Sequence, residues 1–217
     1  SDAAKDAVYI NSERELRNQM LDIIWDTQYA RFKGGEIDDP WDAEFDTPKL
    51  AALRKELQDT IKSHRDVIVK DEFSSVYQGA GAVGMNAFTS EDVTFYINQL
   101  PANKFELWCW MESDRLANSV FREFFSERDV VHEERRMRTD SPPTGVYQEQ
   151  FNSMFWEASP YSWPVIGWPS DLNSYTLEEA NRYFDVYYQP SNLIGVVVGD
   201  FDVENAQKLI IEYFGQL

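Results

Sequence analysis

Apolar side chains recur at helical spacing from about Lys5 to Phe32, with Leu16, Met20, Ile23, Ile24 and Tyr29 among them, and predict a long first helix. Gly34-Gly35 ends it in the manner of a C-terminal cap. An acidic loop from Glu36 to Asp46, with Pro40 inside it, leads to Thr47-Pro48, an N-cap followed by proline at the first helical position. A second helix is expected from about Pro48 to Asp66, with Leu50, Leu53, Leu57 and Ile61 on one face. Two amphipathic helices joined in this way make an antiparallel hairpin. His64, near the end of the second, is expected in a charged or solvated helix-terminal role.

The period then changes. Gly79, Gly81 and Gly84 punctuate a loop, and Met85 to Asn98 reads as one or two strands. Val93, Phe95 and Ile97 alternate with Thr94, Tyr96 and Asn98, as in a half-buried strand. The glycines lead into strand rather than helix, which removes the phosphate-cradling reading of a Gly-rich loop. Pro101 closes the strand, and a helix starts near Asn103 with Phe105, Trp108, Cys109, Glu112, Leu116 and Val120 at helical spacing. Its tryptophans and Cys109 are expected in the core. Ser141-Pro-Pro143 precedes a helical stretch to Phe155 or Trp156, and the aromatic segment Pro160 to Pro169 is expected to be a loop packed by its own side chains. Thr176-Leu-Glu-Glu179 is a capping box for a helix ending near Tyr188. The apolar run Leu193 to Gly199 predicts a buried strand, and Val203 to Phe214 a last amphipathic helix stopped by Gly215.

A chain of 217 residues with 43% hydrophobic and 15% aromatic residues can bury a sizeable core. Its formal charge of −18 excludes a nucleic-acid partner, because phosphate binding needs a basic face. The lone Cys109 excludes an internal disulfide framework and a cysteine-rich zinc site. No run of about 18 apolar residues is present, so no membrane-spanning helix is expected.

The candidate chemistry lies between Glu123 and Arg138, a charged helical stretch without Gly or Pro. Glu127 and Glu134 are seven residues apart, close to two turns, so their carboxylates point to nearly the same side. Val130, Val131 and Met137 make that side partly apolar, where a carboxylate needs a cation, a metal or a donor. Arg128, Arg135, Arg136 and Arg138 could supply this as an ordinary ion-pair helix. His132 stands two residues before Glu134 and points to another face.

From about Phe73 to the end, a series of words resembles the pitrilysin/insulinase family of zinc peptidases. They are Gly84-Met-Asn-Ala-Phe-Thr-Ser90, Leu100-Pro-Ala-Asn103, Ser113-Asp-Arg-Leu116, Glu127-Arg-Asp-Val-Val-His-Glu-Glu134 and Tyr187-Tyr-Gln-Pro-Ser-Asn192 running into Gly199-Asp200. The resemblance implies an α+β fold, a mixed and largely antiparallel sheet covered by helices. It would be part of a domain like that of the mitochondrial processing peptidase, with residues 1–70 as a helical hairpin insertion and 71–217 as the remainder. It implies zinc as cofactor, with Glu134 as metal ligand and Glu127 as an auxiliary acid. Asn86, Ala87, Phe88 and Thr89 would lie on an edge strand along which a peptide substrate extends by strand addition. A peptide or protein substrate and a homologous second half or subunit are the implied partners, in a bacterial periplasmic or secreted setting.

One departure limits the reading. The family's inverted motif, His-x-x-Glu-His, supplies two zinc ligands and the general base, and it is absent from these 217 residues, whose two histidines are His64 and His132. The remaining zinc ligands are therefore expected upstream of residue 1. The chain alone is expected to be inactive, as a piece of a zinc metalloendopeptidase. The alternatives are a non-catalytic homologous subunit that forms a chamber or complex with an active partner, and a helical interaction module built on the acidic hairpin.

Overall fold

The computed structural model describes residues 3–217, which divide into two units. One is built from residues up to Lys70, with Arg122–Arg128 and Trp168–Glu179. The other comprises Asp71–Phe121, Asp129–Gly167 and Ala180–Leu217.

In the first unit α1 (Ala3–Ile23) runs through a π-helical turn, Ile24–Gln28, into α2 (Tyr29–Lys33). Helix α3 (Pro48–Arg65) packs on α1 through Leu16, Met20 and Ile24 against Leu50, Leu53 and Leu57, with Ile61 and Tyr29 at the margin. This is the apolar face that the helical periodicity predicts. Thr47 caps α3 by accepting from the Leu50 N–H, with Pro48 in the first turn. The acidic loop is tied down rather than loose. Buried Gln28 donates to the Phe45 carbonyl at 2.8 Å, and Arg54 holds Asp46 at 2.6 Å and the Trp41 carbonyl at 3.0 Å.

His64 is not solvated. It is 3% exposed, its Nδ1 lies 2.9 Å from Glu13 Oε1, and its Nε2 lies 3.5 Å from Asp6 Oδ1. Tyr9 stacks on its ring. The solvated role expected at this helix end is not realised, because acidic positions on α1, invisible as a pattern, converge on the ring once the helices pair.

The second unit begins with α4 (Glu72–Gly79), which the glycine-punctuated sequence does not announce. Strands β1 (Val83–Thr89) and β2 (Thr94–Gln99) follow as an antiparallel pair, with Ala87 opposite Tyr96 and Phe88 opposite Phe95. The register slips by one residue between Val83 and Asn86. Gly84 sits there at φ +65°, a bulge conformation that suits glycine. The half-buried alternation is not realised: Val93, Phe95 and Ile97 are all exposed, and Phe88 and Phe95 stack across the strands at 4.9 Å. Helix α5 (Phe105–Ala117) starts after a 3₁₀ turn, packs Met111 beside Tyr77 and Ala82, and buries Cys109 fully. Burial pushes the Cys109 thiol up to about 11, which makes it an inert core residue. Trp110 is half exposed, so only Trp108 of the pair joins the core.

Helix α6 (Phe124–Arg135) continues into a π-helical turn, Arg136–Asp140, where one unbroken helix is expected. Then come α7 (Gly145–Phe155), α8 (Pro169–Ser174), α9 (Leu177–Tyr187) and α10 (Val203–Phe214). Thr176 and Glu179 exchange the hydrogen bonds of a capping box ahead of α9. Trp163 and Val165 stay exposed, so the Pro160–Pro169 loop packs only in part. The fold is thus α+β, helices with a small antiparallel sheet.

Leu193 to Gly199, expected as a buried strand, pairs with no strand among the described residues, and Ile194 and Val198 are 92% and 91% exposed. β-branched residues in continuous sequence state strand character; burial requires a neighbouring strand, and none among the described residues supplies it. An exposed, uncharged, strand-forming segment is an association hazard. Val196→Lys is therefore expected to suppress concentration-dependent light scattering while changing unfolding stability by less than about 0.5 kcal/mol. Unchanged scattering would show that another surface drives association.

Candidate functional site

Both candidate acids lie on α6. Glu127 is exposed, and Glu134, a third exposed, pairs with Arg138 across one turn at 2.9 Å. His132 is half-buried and Val130 and Met137 are exposed, so the apolar side of the stretch is open to solvent. Among the described residues no three His, Cys, Asp or Glu side chains converge in a way that would hold a metal. Glu134 offers one carboxylate, and a catalytic zinc takes about three protein ligands. The residues present do not make a zinc site by themselves.

The end of α6 is firmly seated. Arg135 is 4% exposed and clamps Glu149 of α7 with two hydrogen bonds of 2.7 and 2.8 Å, while a third reaches the Gly167 carbonyl at 2.9 Å. The hydrogen bond to Glu149 raises the guanidinium above its ordinary range, with the charges of Glu149 and Asp140 assisting. α7 approaches the π-helical turn so closely that a Cβ on Gly145 would lie 2.1 Å from the Thr139 carbonyl oxygen, and only glycine fits there. In the sequence Arg135 is one of four arginines that could partner the carboxylates of this stretch. The fold assigns it to another helix.

Asn86, Ala87, Phe88 and Thr89 are all exposed on β1, which pairs with β2 on one side and with nothing among the described residues on the other. That open edge has the geometry strand addition requires. Behind the hairpin, Arg115 stacks over Tyr96 at 4.3 Å, and the Tyr96 and Tyr188 hydroxyls share a hydrogen bond of 2.7 Å. Arg115 in turn pairs with Glu112, which accepts from buried Tyr77 at 2.9 Å. Burial, then the Glu112 charge, drives the Tyr77 phenol well above its usual value, and burial does the same for Tyr188. Neither phenol ionises near neutrality, so both act as fixed hydrogen-bonding groups. The sequence showed Glu112 and Arg115 one helical turn apart; their role in bracing β2 was visible only after folding.

Comparison with known proteins bears on this arrangement. Residues 174–217 match the family described as the peptidase M16 inactive domain. The zinc protease PqqE of Helicobacter pylori is 36% identical over 148 residues, 67% of this chain and 33% of that protein. An uncharacterized zinc protease of Mycobacterium leprae is 28% identical over 144 residues, 64% of this chain and 32% of that one. In three dimensions the crystal structure of a protease from Helicobacter pylori superposes with a TM-score of 0.64 at 32% identity, over 69% of this chain and 36% of that one. The chain belongs to the pitrilysin/insulinase family of zinc peptidases. It spans about a third of the length of the curated relatives it matches. In this pitrilysin-family chain α6 and the β1 edge are the elements that carry the family words around Glu134 and Asn86.

Proposed function

We propose that this chain is part of a zinc metalloendopeptidase that hydrolyses peptides or small unfolded proteins, and that it is inactive alone. The observation that carries the reading is its similarity to proteins named zinc proteases, across a region that includes Glu127 and Glu134 on one side of α6. Glu134 is the one metal-binding carboxylate the chain contributes, and Glu127 is an auxiliary acid on the same helix face. The open edge of β1, from Asn86 to Thr89, receives an extended substrate backbone. Freeing Glu134 for metal requires it to leave Arg138, an exposed pair that holds it by little, on the order of 1 kcal/mol or less.

The test is metal content of the natural protein. Bound zinc is expected, and Glu134→Gln is expected to weaken zinc affinity by at least about tenfold. Unchanged affinity would remove Glu134 from the metal site. A second reading, a non-catalytic homologous subunit, is favoured by the match of residues 174–217 to a domain described as inactive. A natural protein that binds no zinc yet co-purifies with a zinc-binding homologue would select it.

A further inference from the structure

A row of aromatic side chains in the second unit has no part in the site above. Tyr147, Phe151 and Phe155 repeat every fourth residue on α7, and their rings stack in sequence with centroids 6.4 and 5.7 Å apart. Phe155 meets Trp156 edge-on at 4.9 Å, and Trp156 meets Tyr161 at 5.5 Å. Tyr161 donates its hydroxyl to Asp92, in the turn between β1 and β2, next to Glu91. Its phenol is held above the ordinary value by that hydrogen bond and then by the charges of Asp92 and Glu91. The row therefore starts on α7 and ends on two carboxylates.

Two features argue for a ligand and state its chemistry. The row is open to solvent, with Tyr147 69% and Phe155 64% exposed, and contiguous apolar surface of this kind marks interaction sites. Its own segments, 71–103 and 139–167, contain no Lys, Arg or His, and the Arg135 guanidinium that reaches α7 is buried against Glu149. Stacked ring faces attract cations, and the carboxylates at the end of the row pair with them. A second copy of this chain, at a formal charge of −18, would meet repulsion there.

We propose that the aromatic row from Tyr147 to Tyr161, closed by Glu91 and Asp92, docks peptides in which Lys or Arg alternates with apolar residues. This names a substrate class and in that sense rests on the peptidase reading, but the binding itself requires no metal. The experiment is fluorescence anisotropy with the whole chain and short labelled peptides alternating Leu with Lys, Leu with Gln, or Leu with Glu. The Leu–Lys peptide is expected to bind at least about tenfold more tightly than the Leu–Gln peptide, with the difference shrinking as salt is raised. Glu91→Gln/Asp92→Asn, in an exposed turn, is expected to remove the preference. Phe151→Ser/Phe155→Ser, with its fold checked by circular dichroism, is expected to weaken Leu–Lys binding by about tenfold or more. Equal binding of Leu–Lys and Leu–Gln, or a preference that survives the turn substitutions, overturns the proposal. So does self-association removed by the Phe substitutions without peptide binding, which assigns the face to a second copy. A failed anisotropy experiment leaves the zinc measurement intact, and loss of zinc binding leaves the peptide preference intact.

Discussion

His64→Ala is expected to destabilise the first unit by about 3–5 kcal/mol, the usual consequence of removing one partner from a buried charged cluster. The ring lies between two carboxylates that are themselves buried, Asp6 at 2% and Glu13 at 5% exposure. Among the described residues neither oxygen of Asp6 makes a close hydrogen bond, and the polar groups facing it are His64 Nε2, 3.5 Å from Oδ1, and Arg122 Nε, 3.3 Å from Oδ2. Alanine would leave two buried acids with much of their compensation gone and a void under the Tyr9 ring. Urea unfolding followed by circular dichroism is the measurement. Adding Asp6→Asn and Glu13→Gln to His64→Ala should recover part of the loss, because the stranded charges disappear with it. A single-mutant loss below about 1 kcal/mol would show that water reaches the cluster.

Arg135→Ala is expected to have a similar cost, about 3–5 kcal/mol, by stranding Glu149. Both members are buried, the clamp is bidentate, and the Gly167 carbonyl would lose a charged donor at the same time. Arg135→Lys should retain only part of this, since an ammonium cannot reproduce the planar fork. The double substitution Arg135→Met/Glu149→Leu should be milder than Arg135→Ala, because it removes both charges and refills the volume. Thermal unfolding of these three variants, together with Glu149→Leu and Arg135→Ala/Glu149→Leu, separates these cases. If Arg135→Ala and Glu149→Leu add without coupling, the pair is not what anchors α7 to the end of α6. The clamp sits beside Glu134, so its loss should also loosen the helix end from which that carboxylate projects.

The two clusters explain why charge was the hardest feature to read along the chain. Thirty-eight acidic residues make each one look like part of a solvated surface, and His64 and Arg135 are each drawn inside by an acid that is remote in sequence. The buried pairs span 51 and 14 positions. No local period encodes a contact of that kind. The same limit applied to Arg115, whose stacking on Tyr96 joins a helix to a strand.

Local chemistry, by contrast, was decided by the residues themselves. Periodicity puts Leu16, Met20 and Ile24 on one helix face and Leu50, Leu53 and Leu57 on another, because residues three or four apart share a side; that the two faces meet each other was decided by the fold. Thr47-Pro48 and Thr176-Leu-Glu-Glu179 set two helix starts through side-chain to backbone hydrogen bonds that need no tertiary partner. The seven-residue interval puts Glu127 and Glu134 on one side of α6 for the same reason, and the ordered family words around them stated the family. Tertiary structure decided which of these features are inside. It buried His64 and Arg135, left Val93, Phe95 and Ile97 in solvent, and gave the apolar run Leu193 to Gly199 no neighbouring strand among the described residues. Propensity is a property of a segment, whereas burial depends on what lies next to it, and that neighbour is chosen by the whole fold.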